Sequence, residues 1–327
     1  MLAAEIIRRV KEIQIRTGRQ VADVLAGGYV SVFRGTGIEF DEVRPYVPGD
    51  DTRTIDWNVT ARTGQPHVKR YVEERELTLM LMADVSASQD FGSLAGSKRE
   101  TTAELCALLA FSAIRNNDKV GLVLFHGDVE HYIPPRKGQR HALRVVREVL
   151  AHGESSGGQR GVGATRHRGW RSWWHRISKP RNRQSLQALR HSTNIRRATE
   201  FLLSVNKRKT VCFVVSDFMD SGYEKALSLA NQRHDVIAVL VSDPHELKLP
   251  DVGLVSLRDA ESGDTRLYDT GSAIFRKTVL EMASKRVDEL EIRLRQRGID
   301  FIHVSTAEPV VEPLVRFFKM REKRSRR

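Results

Sequence analysis

The chain has few cysteines, no long apolar run and no signal-peptide core. Its two cysteines, Cys106 and Cys212, lie in apolar segments, which excludes a disulfide framework or a paired-cysteine zinc motif and predicts two buried thiols. No segment approaches the roughly 18 to 20 uncharged apolar residues of a membrane-spanning helix. The first residues carry charges every few positions. We therefore expect a cytoplasmic protein, with a peripheral position at the inner membrane as the alternative.

Catalytic signatures are also missing. The eleven histidines are scattered, and the sequence shows neither a metal-spaced histidine pair nor a Ser-His-Asp or Cys-His arrangement. It contains no Walker motif, so the chain is not expected to hydrolyse nucleotides by itself. These absences predict that the protein is not an enzyme.

The net charge of +13 is concentrated in two places. Residues 155–190 contain nine Lys or Arg and no Asp or Glu, and the last twelve residues contain seven basic groups and one acid. The rest of the chain carries a net charge of −2. The basicity is therefore expected to belong to an insert and to a basic tail, residues 321–327, rather than to the folded body.

Hydrophobic periodicity divides the chain into two parts. Residues 1–76 combine a predicted opening helix, about residues 3–16, with a lobe dense in Gly, Pro and charge, which predicts turns and short strands. In residues 77–320, apolar runs typical of buried strands alternate with amphipathic helices. Residues 129–135 are expected to form an antiparallel neighbour of the second strand, and residues 252–270 a β-hairpin. The alternation predicts an α/β domain whose mainly parallel sheet is covered by helices on both faces.

Residues 154–190 interrupt this alternation. The segment is rich in Gly, Ser and Arg and has no core periodicity, so we expect a disordered basic insert within the domain. Trp170, Trp173 and Trp174 lie among its arginines. This composition is consistent with binding to nucleic acid or to an anionic membrane, and equally with a solvated loop that binds nothing.

Oxygen-bearing side chains follow two of the predicted strands and precede one helix. The first strand of the domain leads into Asp84, Ser86 and Ser88, an Asp-x-Ser-x-Ser run. Asp217 follows the third strand, and Thr193 precedes the helix that leads to it. The carboxyl ends of parallel strands meet at one edge of a sheet. Carboxylate and hydroxyl oxygens suit a hard cation such as Mg²⁺ or Mn²⁺ better than zinc, so the pattern predicts a magnesium site.

This set of residues resembles the metal-ion-dependent adhesion site of von Willebrand factor A domains. The resemblance implies a von Willebrand factor A-like (Rossmann-like) α/β fold. It also implies that Ser86, Ser88 and Thr193 bind Mg²⁺ through their hydroxyls, while Asp84 and Asp217 act largely through water. One coordination position would stay open for the carboxylate of an acidic protein ligand.

Long motifs upstream of the first strand narrow the resemblance to the bacterial domain of unknown function 58 family. The residues that carry it are Arg34, Gly35, Glu39, Glu42, Arg44, Tyr46, Pro48, Gly49, Asp50, Asp51, Arg53, Asp56, Trp57, Arg62, Glu73 and Arg75. Members are commonly encoded beside MoxR-type AAA+ ATPases, so the resemblance implies an adaptor or partner of such an ATPase. The chain departs from the family at Gln89, where methionine is usual, and in its basic insert.

Each feature also has a purely structural interpretation. For Asp84 and Ser88 the alternative is capping of the helix that begins near Ser97, and for Asp217 capping of the next helix. The arginines of the upstream motif are expected to pair with acidic neighbours and hold the lobe against the domain. A phosphate pocket is less favoured because no Gly-rich loop opens a helix there. Trp57 is expected to be a packing anchor between lobe and domain.

The sequence therefore favours a non-enzymatic, Mg²⁺-dependent protein-interaction module that acts beside an AAA+ ATPase in protein assembly or remodelling. Two other functions stay open. One is metal-assisted phosphoester hydrolysis, for which no general base accompanies the predicted cation. The other is binding of nucleic acid or an anionic membrane through the insert, which would depend strongly on salt.

Overall fold

The structure is a computed structural model that describes residues 37–74, 76–93, 96–152, 193–258 and 265–325. The predicted opening helix, the basic insert and the motif residues Arg34, Gly35 and Arg75 lie outside these ranges.

The upstream lobe contains the predicted strands and a short helix. Its elements are β1 (Gly37–Pro45), α1 (Trp57–Thr63) and β2 (His67–Glu74). The two strands pair antiparallel. Asp56 caps α1 by accepting hydrogen bonds from the backbone amides of Asn58 and Val59, and Gly64 ends the helix with a left-handed φ of 72°.

Arg44 and Lys69 pair with acids of the lobe itself, whereas Glu76, at the end of the upstream part, pairs with Lys119 and Lys137 of the domain. The Arg44 guanidinium donates two hydrogen bonds to the Asp50 carboxylate, at 2.8 and 2.6 Å, and so braces the turn that follows β1. Lys69 approaches Asp56 at 3.4 Å. The expectation that Arg44 holds the lobe against the domain is therefore wrong. Trp57 is 70% exposed, which also contradicts its predicted role as a packing anchor.

The rest of the described chain is a mixed α/β domain built on a six-stranded sheet. Its strands, with the separate hairpin β8–β9, are β3 (Thr78–Asp84), β4 (Lys119–Phe125), β5 (Val129–Arg136), β6 (Val211–Ser216), β7 (Asp235–Ser242), β8 (Leu254–Arg258), β9 (Thr265–Asp269) and β10 (Asp300–Ser305). The strand order is β10-β7-β6-β3-β4-β5, and only β5 runs antiparallel to its neighbour. The predicted mainly parallel sheet is confirmed.

Helices cover both faces of this sheet, as predicted. They are α2 (Lys98–Arg115), α3 (Gln139–Ala151), α4 (Ile195–Val205), α5 (Glu224–Arg233), α6 (Pro244–Leu247), α7 (Ala273–Arg295) and α8 (Val311–Ser325). Alternate residues of β3 point to opposite faces of the sheet. Leu79 and Leu81 pack with α2, α3 and α8 on one face, whereas Met80 and Met82 pack with α4, α5 and α7 on the other. None of the described helices is long and apolar enough to cross a membrane.

The two cysteines are free and buried, one in each core, as predicted. Burial in these apolar surroundings raises the pKa of the Cys106 thiol to about 12, and it raises the pKa of Cys212 as well. Both thiols therefore act as packing groups.

Residues 321–325, expected to be part of a basic tail, continue helix α8. Arg321 donates hydrogen bonds to Asp300 at 2.6 Å and to Asp235 at 2.8 Å. Arg324 donates to Asp300 at 2.9 Å. The predicted boundary at residue 320 is therefore wrong, because arginines beyond it neutralise acids at the starts of β7 and β10.

Candidate metal centre

The structure brings the five predicted site residues together at the carboxyl edge of the sheet. Asp84 is the last residue of β3, and Asp217 directly follows β6, the neighbouring strand. Ser88 lies in the single turn of 3₁₀ helix formed by residues 87–90, and Ser86 directly precedes that turn. Thr193 precedes α4.

Hydrogen bonds link these side chains into one network. Ser88 Oγ donates to Asp217 Oδ2 at 2.7 Å and lies 2.9 Å from Ser86 Oγ. Thr193 Oγ1 donates to Asp84 Oδ2 at 3.3 Å. Asp84 also accepts from the backbone amide of Ser86 at 2.9 Å and from Ser216 Oγ at 2.7 Å. Three segments far apart in sequence therefore share one set of polar contacts.

The carboxylates of the network are buried. Asp84 is 2% exposed and Asp217 is 1% exposed. Burial, reinforced by the negative charge of Asp217, raises the pKa of Asp84 to about 6, although the hydrogen bond from Ser216 works against the rise. A bound cation would relieve this repulsion, so the electrostatics of the site favour one.

Backbone geometry after β6 is adapted to present Asp217. Phe218 has a φ of 51°, in the left-handed region that costs energy for a residue with a side chain. Its amide donates to Ser216 Oγ at 3.1 Å, and the amide of Met219 donates to Asp217 Oδ1 at 3.3 Å. The turn therefore uses its own backbone to hold the carboxylate.

Helix capping does not explain the cluster. Ser97 caps α2, accepting from the amide of Glu100, and Asn194 caps α4, accepting from the amide of Arg197. Helix α5 begins at Glu224, and its N-cap residue, Tyr223, makes no side-chain capping hydrogen bond. The alternative that Asp84, Ser88 and Asp217 are merely caps is therefore contradicted.

A buried lysine, which the sequence analysis missed, contacts the network. Lys98, the first residue of α2, has no exposed surface. Its ammonium donates to Asp217 Oδ2 at 3.0 Å and to Glu246 Oε1 at 2.6 Å. Burial by itself lowers the pKa of this ammonium, but the two carboxylates outweigh that effect and the pKa is raised.

A third aspartate at a strand end, also missed from the sequence, supports the loop that follows β3. Asp243 follows β7, is fully buried, and accepts hydrogen bonds from the amide and the hydroxyl of Ser93. It also accepts from Thr306 Oγ1 at 3.0 Å, while its own amide donates to Glu246 Oε2 at 3.1 Å. A signal was present in the sequence, since Ser242-Asp243 repeats the Ser216-Asp217 pair at the next strand end.

The donor set of the five predicted residues is two carboxylates and three hydroxyls, all oxygen. Such donors suit Mg²⁺ or Mn²⁺. Within the ranges that the structure describes, no cluster of three or more His, Cys, Asp and Glu side chains is arranged for a metal. A cation at this site would therefore depend on serine and threonine oxygens and on water in addition to the two aspartates.

Gln89 lies directly beside this network and is poorly accommodated. The side chain is fully buried, yet neither its amide nitrogen nor its amide oxygen has a hydrogen-bond partner. A buried, unsatisfied polar group costs stability. Gln89 is therefore an unfavourable residue at its buried position.

Comparison with known families gives one clear match. Residues 42–289 match the family described as "Protein of unknown function DUF58". Among relatives, an uncharacterized protein of Mycobacterium tuberculosis is 28% identical over 315 residues, which covers 96% of this chain and 89% of the relative. An uncharacterized protein of Mycobacterium avium is 30% identical over 127 residues, covering 38% of this chain and 75% of the relative.

Solved structures give more distant similarities. The conserved hypothetical protein BatB from Bacteroides thetaiotaomicron has a TM-score of 0.38 and 15% identity, over 76% of this chain and 99% of that chain. An aerotolerance-related membrane protein from Bacteroides fragilis has a TM-score of 0.39 and 14% identity, with the same coverage.

Replacing Gln89 by Met should stabilise the protein. The substitution keeps the side-chain volume and removes two unsatisfied buried polar atoms, so we expect a gain of about 1 kcal/mol in the free energy of unfolding. Urea denaturation measures the gain. Gln139, which is exposed, provides the control, because its change to Met should alter stability by less than about 0.5 kcal/mol. A loss of stability in Gln89→Met would show that the amide is bonded after all.

Replacing Asp84 by Asn should change how stability depends on pH. The pKa of Asp84 is about 6 in the folded state, above its value in the unfolded chain. The carboxyl is therefore protonated in both states below about pH 4, where it does not reduce the free energy of unfolding. As the pH rises from 4 to 6 it reduces that free energy increasingly. In the presence of a metal chelator, the free energy of unfolding of the wild type should therefore fall between pH 4 and pH 7 by on the order of 2 kcal/mol more than that of Asp84→Asn. Urea denaturation across this range tests it, and parallel curves would contradict the assigned burial cost.

Proposed function

Because the chain belongs to the family described as protein of unknown function DUF58, we propose a function from the geometry of its site. The proposed function is that of a non-enzymatic, von Willebrand factor A-like module that binds a protein partner through Mg²⁺. The observation that supports it most directly is that Asp84, Ser88 and Asp217, from two strand ends, meet in one hydrogen-bonded cluster of oxygen-bearing side chains.

The proposed ligands follow from the network. The hydroxyls of Ser86, Ser88 and Thr193 would hold the cation, and Asp84 and Asp217 would accept hydrogen bonds from those hydroxyls and from water around the ion. When bound, the ion supplies a positive centre that attracts a carboxylate oxygen of the partner. The existing bonds from Ser88 to Asp217 and from Thr193 to Asp84 already orient the hydroxyl protons toward the aspartates. Each of these two hydroxyl oxygens keeps a lone pair for a cation, even though Ser88 Oγ also accepts the hydrogen bond from Ser86 Oγ.

Exposed apolar side chains flank the residues of the site. Phe91, three residues after Ser88, is 44% exposed, and Met219, two residues after Asp217, is 55% exposed. Arg286 on α7 contacts the Met219 sulfur at 2.7 Å. A partner that brings an acidic side chain with apolar neighbours would suit this rim, because apolar and arginine contacts are typical of interface centres.

For the partner we propose a MoxR-type AAA+ ATPase, or a protein that such an ATPase assembles or remodels, in the cytoplasm. The support is the upstream motif, whose described part forms the lobe of β1, α1 and β2. The chain would then act as an adaptor, with the ATPase performing the nucleotide hydrolysis.

Magnesium or manganese should raise the melting temperature of the purified protein. A cation that binds only the folded state stabilises it by mass action, by about 2.7 kcal/mol at one hundred times the dissociation constant. Asp84→Ala should abolish the shift. Asp56→Ala is the matched control, since it removes a largely buried aspartate of the lobe and should keep the full shift. An equal shift in Asp84→Ala would place the cation elsewhere on the molecule.

An affinity pulldown tests the proposed partner. Immobilised wild-type protein should retain an AAA+ ATPase from extract of the source cells in Mg²⁺ but release it in EDTA, and Asp84→Ala should retain none. Mass spectrometry of the eluates identifies the bound proteins. If the ATPase were retained in EDTA, the metal would not be required for its recognition. Hydrolysis of a phosphomonoester by the pure protein, lost in Asp84→Ala, would favour the phosphoesterase alternative instead.

A further inference from the structure

Lys98 and the metal network share one oxygen atom. Asp217 Oδ2 accepts a hydrogen bond from Lys98 Nζ at 3.0 Å and another from Ser88 Oγ at 2.7 Å. The ammonium therefore lies in direct contact with a predicted member of the metal site. A fully buried lysine is rare in proteins and is tolerated only when it is paired.

Two loops hold the ammonium in place. Its second partner, Glu246, lies in α6 and accepts at 2.6 Å. The other oxygen of Glu246 accepts from the amide of Asp243, forming a capping box, and the Asp243 carboxylate in turn binds Ser93 of the loop that follows β3. The position of the lysine charge is therefore built into the fold rather than left to a flexible side chain.

We propose, on the basis of the proposed function, that Lys98 is a positioning residue that keeps Asp217 in the outer shell of the metal and thereby holds the affinity for divalent cations down. The ammonium occupies Asp217 Oδ2 from one side while Ser88 donates to it from the other. An oxygen with both contacts is poorly placed to coordinate an ion directly, and the other oxygen, Asp217 Oδ1, already accepts a hydrogen bond from the amide of Met219. The ammonium also repels the dication, and burial strengthens that repulsion.

Glu246 has the opposite effect in this arrangement. Its carboxylate neutralises the ammonium and draws it away from Asp217. Without the Glu246 charge, the ammonium would be paired with Asp217 alone and would compete more strongly with the cation. The two residues therefore predict changes of opposite sign, whereas a merely structural role would weaken metal binding in both variants.

The test measures Mn²⁺ affinity and hydration in the full-length protein. Free Mn²⁺ is followed by electron paramagnetic resonance, and the water bound to the protein-held ion by electron–nuclear double resonance. Lys98→Met should bind Mn²⁺ about tenfold more tightly or better and show one bound water fewer, because Asp217 becomes a direct ligand. Glu246→Gln, which can still accept from the Asp243 amide, should bind several-fold more weakly. Lys119→Met removes the same charge at the start of β4, the opposite edge of the sheet, and should leave the affinity unchanged.

The possible results distinguish the role of Lys98 from the existence of the metal site. Unchanged or weaker binding in Lys98→Met, with Mn²⁺ bound normally by the wild type, overturns the role of Lys98 and leaves the metal site standing. No binding by the wild type overturns both. If Lys98→Met does not fold, the double variant Lys98→Met/Glu246→Gln removes one charge of each sign and should also bind more tightly than the wild type. If neither folds, unchanged or tighter binding in Glu246→Gln overturns the proposal.

Discussion

The repulsion between Asp84 and Asp217, two buried carboxylates at neighbouring strand ends, governs the carboxyl edge of the sheet. Each strand delivers its aspartate because the apolar run that forms the strand stops at that point. Bringing the two charges together in the interior is unfavourable unless donors or a cation compensate. Ser216 and Thr193 supply donors to Asp84, and Ser88 and Lys98 supply them to Asp217, so the surrounding loops owe their arrangement to these two groups.

Much of the sheet and of the candidate centre could be predicted from the sequence because local signals mark them. Buried strands read as continuous apolar runs, and the residue that ends each run is fixed within one or two positions. Asp84 and Asp217 therefore stood out. Lys98, Asp243 and Glu246 did not, because their meaning lies in pairings across the fold: Lys98 reaches Asp217 over 119 residues of sequence, and Asp243 reaches Ser93 over 150.

The wrong predictions concern residues whose environment depends on how elements pack. Trp57 looked like an anchor by residue type, but the first position of a short helix directs it to solvent. Arg321 looked like part of a charged tail by composition, but the helix continues and carries it to Asp235 and Asp300. Residue type indicates which environment a side chain favours, but the environment that it has depends on how the elements pack in the tertiary structure.

The position of β3 in the strand order has a consequence for how the molecule could diversify. From β3 the chain builds outward on one side through β4 and β5, then returns to build the other side through β6, β7 and β10. The connection after β3 leads to α2 on one face, and that after β6 leads to α5 on the opposite face. Neighbouring loops that part in this way leave a crevice at a topological switch point, where open α/β sheets generally bind ligands. The residues at the rim of this crevice can therefore change without disturbing the two cores beneath it.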